Sequence, residues 1–216
     1  MRPEMPDSLS EKVDPRRAAL IVVDVQNDFC ATGGYFTKLG NDLTAVQSMV
    51  PRLVDFIGAA RQVKLPVVFV QAIYDECHLS SVWLEKKRGR PVSPRHCLSG
   101  TWGADFYLVQ PEPGDPIVQK HRYSAFIDTN LDLVLRSMGI ETLLLSGVAT
   151  NVCVESTARD AFQRDYYVVF LEDCSATTSE ELHQGTLANI RRYFGNVVQA
   201  ADVVAAWQTA GTCGRS

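Results

Sequence analysis

The 216-residue sequence lacks the patterns that mark several classes of protein. No apolar run approaches the roughly 20 residues that a membrane-spanning helix needs, and the first residues lack the apolar segment of a secretory signal. A formal net charge of −4 offers no basic surface to nucleic acid or to an anionic membrane. We therefore expect a soluble globular protein with no nucleic-acid or membrane partner.

The cysteines show neither a disulfide framework nor a zinc pattern. The six of them stand at positions 30, 77, 97, 153, 174 and 213, without a CxxC pair or a Cys/His spacing typical of zinc. In a chain of this length, scattered cysteines are typical of reduced thiols. We therefore predict a cytoplasmic location.

Apolar runs of strand length alternate along the chain with segments of helical periodicity. Continuous apolar runs are typical of strands that are buried on both faces of a parallel sheet. The predicted strands are residues 18–25, 65–71, 116–120, 142–146, 166–171 and 197–200. The predicted helices are residues 43–63, 128–138, 154–164, 180–193 and 201–206.

This alternation predicts a three-layer α/β/α fold of Rossmann-like type, with a central, mostly parallel sheet. The length and composition suit a single domain over residues 1–216. Within it we expect flexible tails at residues 1–14 and 208–216. Residues 76–113 are rich in Pro, Gly, aromatic and charged residues and are expected to form a long irregular connection that can cover a site.

Three reactive side chains fall at or just beyond the ends of predicted strands: Asp24, Lys120 and Cys153. In open parallel sheets, ligands bind outside the carboxyl ends of the strands. We therefore expect these groups to converge on one edge of the sheet. Each also has a simpler reading, because Asp24 can cap a turn, Lys120 can be a solvated charge and Cys153 a buried structural thiol.

Cys153 is predicted to lie where a strand turns into the first turn of a helix. Backbone N–H groups there have no intrahelical partners, and the helix dipole is positive. Such a position lowers the pKa of a thiol and makes it a better nucleophile. We therefore predict a nucleophilic Cys153 with a lowered pKa.

Three motifs resemble those of the isochorismatase-like cysteine hydrolases. They are Asp24-Val-Gln-Asn-Asp-Phe29, Lys120-His-Arg-Tyr-Ser-Ala-Phe126 and Gly147-Val-Ala-Thr-Asn-Val-Cys153, and their order and spacing match as well. The resemblance covers roughly residues 15–206. Residues 120–126 and 149–160 most resemble the ureidoacrylate amidohydrolases of this family, and residues 28–35 resemble its biuret and triuret hydrolases as closely.

The resemblance implies a catalytic triad of Cys153 as nucleophile, Asp24 as general base and Lys120 as electrostatic partner. It also implies an oxyanion hole formed by the backbone N–H groups of Ala149 and Cys153, and a cis peptide bond before Ala149. The implied reaction cleaves a C–N bond of a small linear ureide through a thioester. The expected assembly is a homo-oligomer, a dimer or tetramer.

Two positions depart from patterns found within the family. Nicotinamidases carry an Asp-x-His metal motif after the second strand, whereas Asp75 and His78 here have a different spacing. We therefore expect neither a metal nor another cofactor. Ureidoacrylate amidohydrolases have an Asn close to position 72, where this chain has Ala72, so the sequence leaves the individual ureide open.

Several side chains are candidates for contact with a small planar substrate. Four of them could form an aromatic wall, and a phenol and an amide near the motifs could add polar contacts. These candidates are Phe29, Tyr35, Tyr74, Trp102, Tyr123 and Asn151. Arg122 could pair with a substrate carboxylate or with an acidic residue of the fold.

The sequence thus favours a metal-free cysteine amidohydrolase acting on ureidoacrylate, triuret or biuret. Two alternatives remain open. One is the hydrolysis of a vinyl ether of the isochorismatase type, and the other is a catalytically silent binding or scaffold protein.

Overall fold

The computed structural model describes residues 5–89 and 95–213. Its sheet consists of β1 Ala18–Val23, β2 Val67–Ala72, β3 Ile117–Lys120, β4 Thr142–Val148, β5 Tyr167–Ala176 and β6 Gly195–Val198. The strands lie in the order β3-β2-β1-β4-β5-β6, and every neighbouring pair is parallel. The predicted parallel α/β fold is therefore confirmed.

Helices cover both faces of this sheet. They are α1 Leu9–Lys12, α2 Asn27–Cys30, α3 Tyr35–Lys38, α4 Thr44–Gln62, α5 Ser81–Lys87, α6 Leu131–Ser137, α7 Glu155–Gln163, α8 Glu180–Tyr193 and α9 Ala200–Cys213. Side chains of α4 and α9 belong to one apolar core, and those of α6, α7 and α8 belong to a second. No helix in the described part of the chain is long and apolar enough to cross a membrane.

Strand β1 separates the two cores. All six of its residues are buried, and successive side chains of a strand point to opposite faces. Leu20 and Val22 accordingly belong to the core under α4 and α9, whereas Ile21 and Val23 belong to the core under α6, α7 and α8. Burial on both faces explains why this run is apolar without alternation.

Several element boundaries differ from the predicted ones. Strand β5 continues five residues further than expected, through the polar residues Glu172 and Asp173, after a register shift against β4. Helix α6 begins at Leu131 instead of 128, because Asp128 has a positive φ of 54°. Strand β6 ends before the expected residue 200, and α9 begins at Ala200 and continues to Cys213.

The two ends of the chain contain more structure than the sequence predicted. Helix α1 has a capping box between Ser8 and Glu11, and Val13 is fully buried. The indole Nε1 of Trp207 donates a 2.7 Å hydrogen bond to the Val13 carbonyl and so joins the two ends. Residues 1–4 and 214–216 of the predicted tails, and residues 90–94 of the long connection, lie outside the described residues.

Gly147 of β4 pairs with Val23 of β1. Its φ is +113°, and a Cβ added there would lie 2.1 Å from the Val23 carbonyl oxygen. We expect Gly147→Ala to lower the free energy of unfolding by about 3 kcal/mol or more, measured by urea denaturation, because both the backbone conformation and the space exclude a methyl group.

Gly58 provides the matched control within α4. A Cβ there meets no atom within 4 Å, and alanine is the better helix former by about 1 kcal/mol. Gly58→Ala should therefore raise the free energy of unfolding slightly. Equal effects of the two substitutions would contradict the steric argument.

Candidate active site

Asp24, Lys120 and Cys153 meet at the carboxyl edge of the sheet. Asp24 follows β1, Lys120 is the last residue of β3, and Cys153 lies in the turn after β4. Strand β1 lies between β2 and β4, where the strand order reverses direction. A crevice forms at such a switch point in open parallel sheets and is the usual place for a ligand.

The Lys120 ammonium contacts the other two side chains. Its Nζ lies 2.8 Å from Asp24 Oδ2 and donates a 3.4 Å hydrogen bond to Cys153 Sγ. A further 2.9 Å hydrogen bond to the Arg122 carbonyl holds the ammonium in place. Asp24 and Lys120 are fully buried, and Cys153 is 6% exposed, so these charges interact with little screening by water.

The predicted lowering of the Cys153 pKa is wrong. Burial raises the pKa of this thiol to about 12, although the Lys120 charge acts in the opposite direction. Cys153 also lies in a π-helical turn, Thr150–Val154, and not in the first turn of an α-helix. The resting thiol therefore keeps its proton at neutral pH, and a base must remove it before attack on a substrate.

Asp24 has the properties of that base. Burial raises its pKa above the ordinary carboxyl value, against the opposing charge of Lys120. Burial alone would lower the pKa of Lys120, but the charge of Asp24 raises it well above its usual value. The lysine is therefore a permanent cation, and the carboxylate is more basic than an exposed aspartate.

Gln26 fixes the turn that carries Asp24. Its buried side chain accepts a hydrogen bond from the Ala72 amide and donates to the carbonyls of Ala72 and Ala104. It thereby joins the end of β1 to the end of β2 and to the loop that contains Ala104. The sequence analysis missed this role, for which the available signal was a polar amide side chain two residues after Asp24, at the end of a buried strand.

The turn that carries Cys153 is held by backbone and side-chain contacts. The Val148–Ala149 peptide bond is cis, as the resemblance implied. The Ala149 carbonyl accepts hydrogen bonds from the amides of Val152 and Val154, and Thr157 Oγ1 donates a 2.7 Å hydrogen bond to the Cys153 carbonyl. Two residues before Cys153, Asn151 Oδ1 is buried and has no hydrogen-bond partner in the described structure.

Three of the predicted aromatic residues are buried together. Tyr35 stacks on His96 with ring centroids 4.1 Å apart, and the rings of Tyr74 and Phe29 lie 4.9 and 5.8 Å from the same imidazole. Trp102, by contrast, is 54% exposed. The structure therefore does not place Trp102 with the buried rings.

Tyr123 is 38% exposed, and its ring lies 5.0 Å from that of Trp83. Trp83 is also 4.8 Å from Tyr74, so it connects Tyr123 to the buried rings. Trp83, Lys87 and His96 are buried here, and the sequence analysis assigned none of them to the site. The first two are four residues apart and lie on one face of α5, but a helix of seven residues is too short to be recognised by its periodicity.

A sequence model described as the Isochorismatase domain matches residues 18–202 of the chain. The chain belongs to the isochorismatase family. It is 38% identical to the ureidoacrylate amidohydrolase RutB of Methylobacterium radiotolerans, over 92% of this chain and 82% of that protein. It is 39% identical to the protein of the same name from Enterobacter sp. (strain 638), over 87% of this chain and 88% of that protein.

Solved structures of isochorismatase-family proteins have the same fold. An isochorismatase-like hydrolase from Alkaliphilus metalliredigens has a TM-score of 0.75 and 32% identity, and the match covers 88% of this chain and 99% of that one. The nicotinamidase PncA of Bacillus subtilis has a TM-score of 0.70 and 27% identity, with 85% and 99% covered.

In this isochorismatase-family site, the Arg122 guanidinium is held by hydrogen bonds to the backbone. Among the residues that the structure describes, its Nη1 donates hydrogen bonds to the carbonyls of His78 and His121, and not to an acidic side chain. Within the described ranges, no three His, Cys, Asp or Glu side chains are grouped so that they could share a metal ion.

Proposed function

We propose that this isochorismatase-family chain is a cysteine-dependent amidohydrolase that cleaves a C–N bond of a small linear ureide through a thioester. The observation that carries the proposal is the contact of one buried ammonium, Lys120 Nζ, with both Asp24 and Cys153. The arrangement unites a nucleophile, a base and a fixed cation, which are the groups required for acyl transfer.

In the first step, Asp24 accepts the Cys153 proton as the thiolate attacks the ureide carbonyl. Lys120 stabilises the thiolate, which burial otherwise disfavours. The carbonyl oxygen becomes an oxyanion, and we assign its stabilisation to the backbone N–H groups of Ala149 and Cys153. When the C–N bond breaks, Asp24 returns its proton to the leaving nitrogen, which departs as ammonia or an amine.

In the second step, water hydrolyses the thioester. The Asp24 carboxylate takes a proton from water, the resulting hydroxide adds to the thioester carbonyl, and the C–S bond breaks. Cys153 leaves as the thiolate and regains the proton from Asp24, which restores the resting enzyme. A carboxylate with a raised pKa suits this exchange, because it must both accept and release the proton near neutral pH.

The relatives support a C–N bond as the target. The two from Methylobacterium radiotolerans and Enterobacter are named ureidoacrylate amidohydrolases. This chain is accordingly a hydrolase that acts on C–N bonds other than peptide bonds. Ureidoacrylate is therefore our first candidate substrate, with triuret and biuret as further members of the class.

A cytoplasmic location, a homo-oligomeric state, the absence of a cofactor and the single domain remain predictions.

A substrate comparison tests the class. We expect kcat/KM to be at least about tenfold higher for ureidoacrylate, triuret or biuret than for nicotinamide, N-carbamoylsarcosine and isochorismate, a difference of about 1.4 kcal/mol in transition-state binding. Cys153→Ala, assayed beside the wild type, identifies any contaminating activity. A hundredfold preference for isochorismate or nicotinamide would overturn the ureide proposal.

A further inference from the structure

The π-helical turn Thr150–Val154, here called the nucleophile turn, is held at both ends by helix α8. Thr150 Oγ1 and His183 Nδ1 form a hydrogen bond of 3.0 Å. Thr186 Oγ1 of the same helix donates a 2.6 Å hydrogen bond to Glu155 Oε2, in the residue that follows the turn. Side chains three residues apart lie on one face of a helix, so this face of α8 contacts the start and the end of the segment that contains the nucleophile.

The Thr150 hydroxyl depends on the histidine. Thr150 is fully buried, and within the described ranges its Oγ1 forms a hydrogen bond with His183 alone. A buried hydroxyl that loses its partner costs about 1–3 kcal/mol. Without the imidazole, we therefore expect Thr150 to shift toward another partner and to displace the turn that it begins.

His183 makes this contact as a neutral ring. Burial lowers the pKa of the half-buried imidazole below its usual value, against the carboxylates of Glu180 and Glu172. At neutral pH the ring is therefore uncharged, and a neutral nitrogen can share one hydrogen bond with a hydroxyl in either direction. Another neutral polar group at the position of Nδ1 should serve equally well.

The position of Thr150 bears directly on the catalytic groups. Thr150 follows Ala149, whose backbone N–H we assign to the oxyanion hole, and the two share one peptide unit. The carbonyl of that unit accepts the hydrogen bonds from Val152 and Val154 that close the turn around Cys153. Donors of an oxyanion hole are effective only at about 2.7–3.1 Å from the oxyanion, so a small displacement of this peptide unit lowers the rate.

We propose that His183 is a positioning residue, which holds the nucleophile turn through Thr150 in the geometry that the transition state requires. The inference rests on the proposed function and adds a residue that acts on Cys153 only through another side chain. Loss of such a residue lowers kcat and leaves KM nearly unchanged. A contact that serves the fold alone would lower the free energy of unfolding, measured by urea denaturation, and leave kcat unchanged.

The test replaces His183 by side chains that do or do not present a polar atom to Thr150. His183→Leu should lower kcat for the best ureide by about tenfold and change KM by less than about twofold. His183→Asn, whose amide reaches the position of Nδ1, should recover most of kcat. Gln184→Leu is the matched control, because Gln184 is an exposed neighbour whose amide bonds to Glu180, and it should change neither constant.

Substitutions of Thr150 test the other side of the contact. Thr150→Val removes the hydroxyl and should lower kcat by about tenfold, whereas Thr150→Ser keeps the hydroxyl and most of kcat. Both Thr150→Val and His183→Leu remove the same hydrogen bond, so the double variant should also lose about tenfold and not about 100-fold. A 100-fold loss, or an unchanged kcat in His183→Leu, overturns the inference. If His183→Leu fails to fold, the comparison of the valine and serine variants decides.

Alkylation by iodoacetamide separates this inference from the proposed function, because it requires no substrate. Peptide mapping reports the rates at Cys153 and at the exposed Cys77 in the same molecule. His183→Leu should slow the reaction of Cys153 by about threefold or more, since a displaced thiol loses its base, and leave Cys77 unchanged. If the wild type cleaves no ureide but Cys153 is slowed, the proposed function fails and the positioning role stands. If the wild type is active and His183→Leu alters neither kcat nor Cys153 alkylation, the positioning role fails alone.

Discussion

Replacement of Cys153 by alanine should lower kcat for a linear ureide by about 10⁴-fold or more, because the acyl-enzyme cannot form without the thiolate. The fold should persist, since the change removes only one sulfur atom. Intact-mass spectrometry during turnover should show a transient adduct on the wild type and none on the variant. Rate measurements with purified protein check the loss of activity.

Cys77 supplies the control for this experiment. It is an exposed free thiol, so an adduct that arises from unspecific reactivity would form there. Cys77→Ala should keep full activity and still form the adduct. Substantial turnover by Cys153→Ala, or an adduct that disappears with Cys77, would contradict covalent catalysis at Cys153.

Asp24→Asn should lower kcat by about 10³-fold, because an amide cannot accept the Cys153 proton or activate water. In the wild type, the ionised Asp24 is the active form, so kcat/KM should be high above its pKa and fall as the pH drops through it. Since burial raises this pKa, the fall should occur at a higher pH than an exposed aspartate would give. A pH–rate profile measures both effects.

The exposed Asp55 on α4 provides a control for the same chemical change, and Asp55→Asn should leave the rate and its pH profile unchanged. Asp24→Asn should also lose the acidic limb of the profile. An Asn variant with near wild-type activity, or a wild-type profile that is flat down to the pKa of an ordinary aspartate, would remove Asp24 from the role of base.

The sheet was predictable because its central strands are buried on both faces, which requires continuous apolar runs such as residues 18–23. The meeting of Asp24, Lys120 and Cys153 followed from the rule that parallel strands bring their carboxyl ends to one edge. The later half of β5 was missed, since Glu172 and Asp173 interrupt its apolar run. A strand segment of mixed polarity has neither the continuous apolar run nor the regular alternation by which strands are recognised in a sequence.

The electrostatics of the site could not be predicted from local position alone. Cys153 lies in a π-helical turn and not at the N-terminus of an α-helix. Burial raises its pKa, and burial depends on segments far away in the chain. Trp83 and Lys87 were missed for a related reason. Helix α5 has only seven residues, too few to establish a periodicity, and its inward face contains a charge where a core helix would have an aliphatic side chain.

Strand β3, which ends at Lys120, is an outer strand of the sheet and pairs with β2 alone, over four residues. Edge strands of this length can detach in local fluctuations that leave the rest of a domain folded. Each such opening would withdraw the ammonium from the carboxylate and the thiol together. The contact of Lys120 with Asp24 and Cys153 therefore depends on the pairing of one short edge strand, and we expect it to open more often than the native fold unfolds.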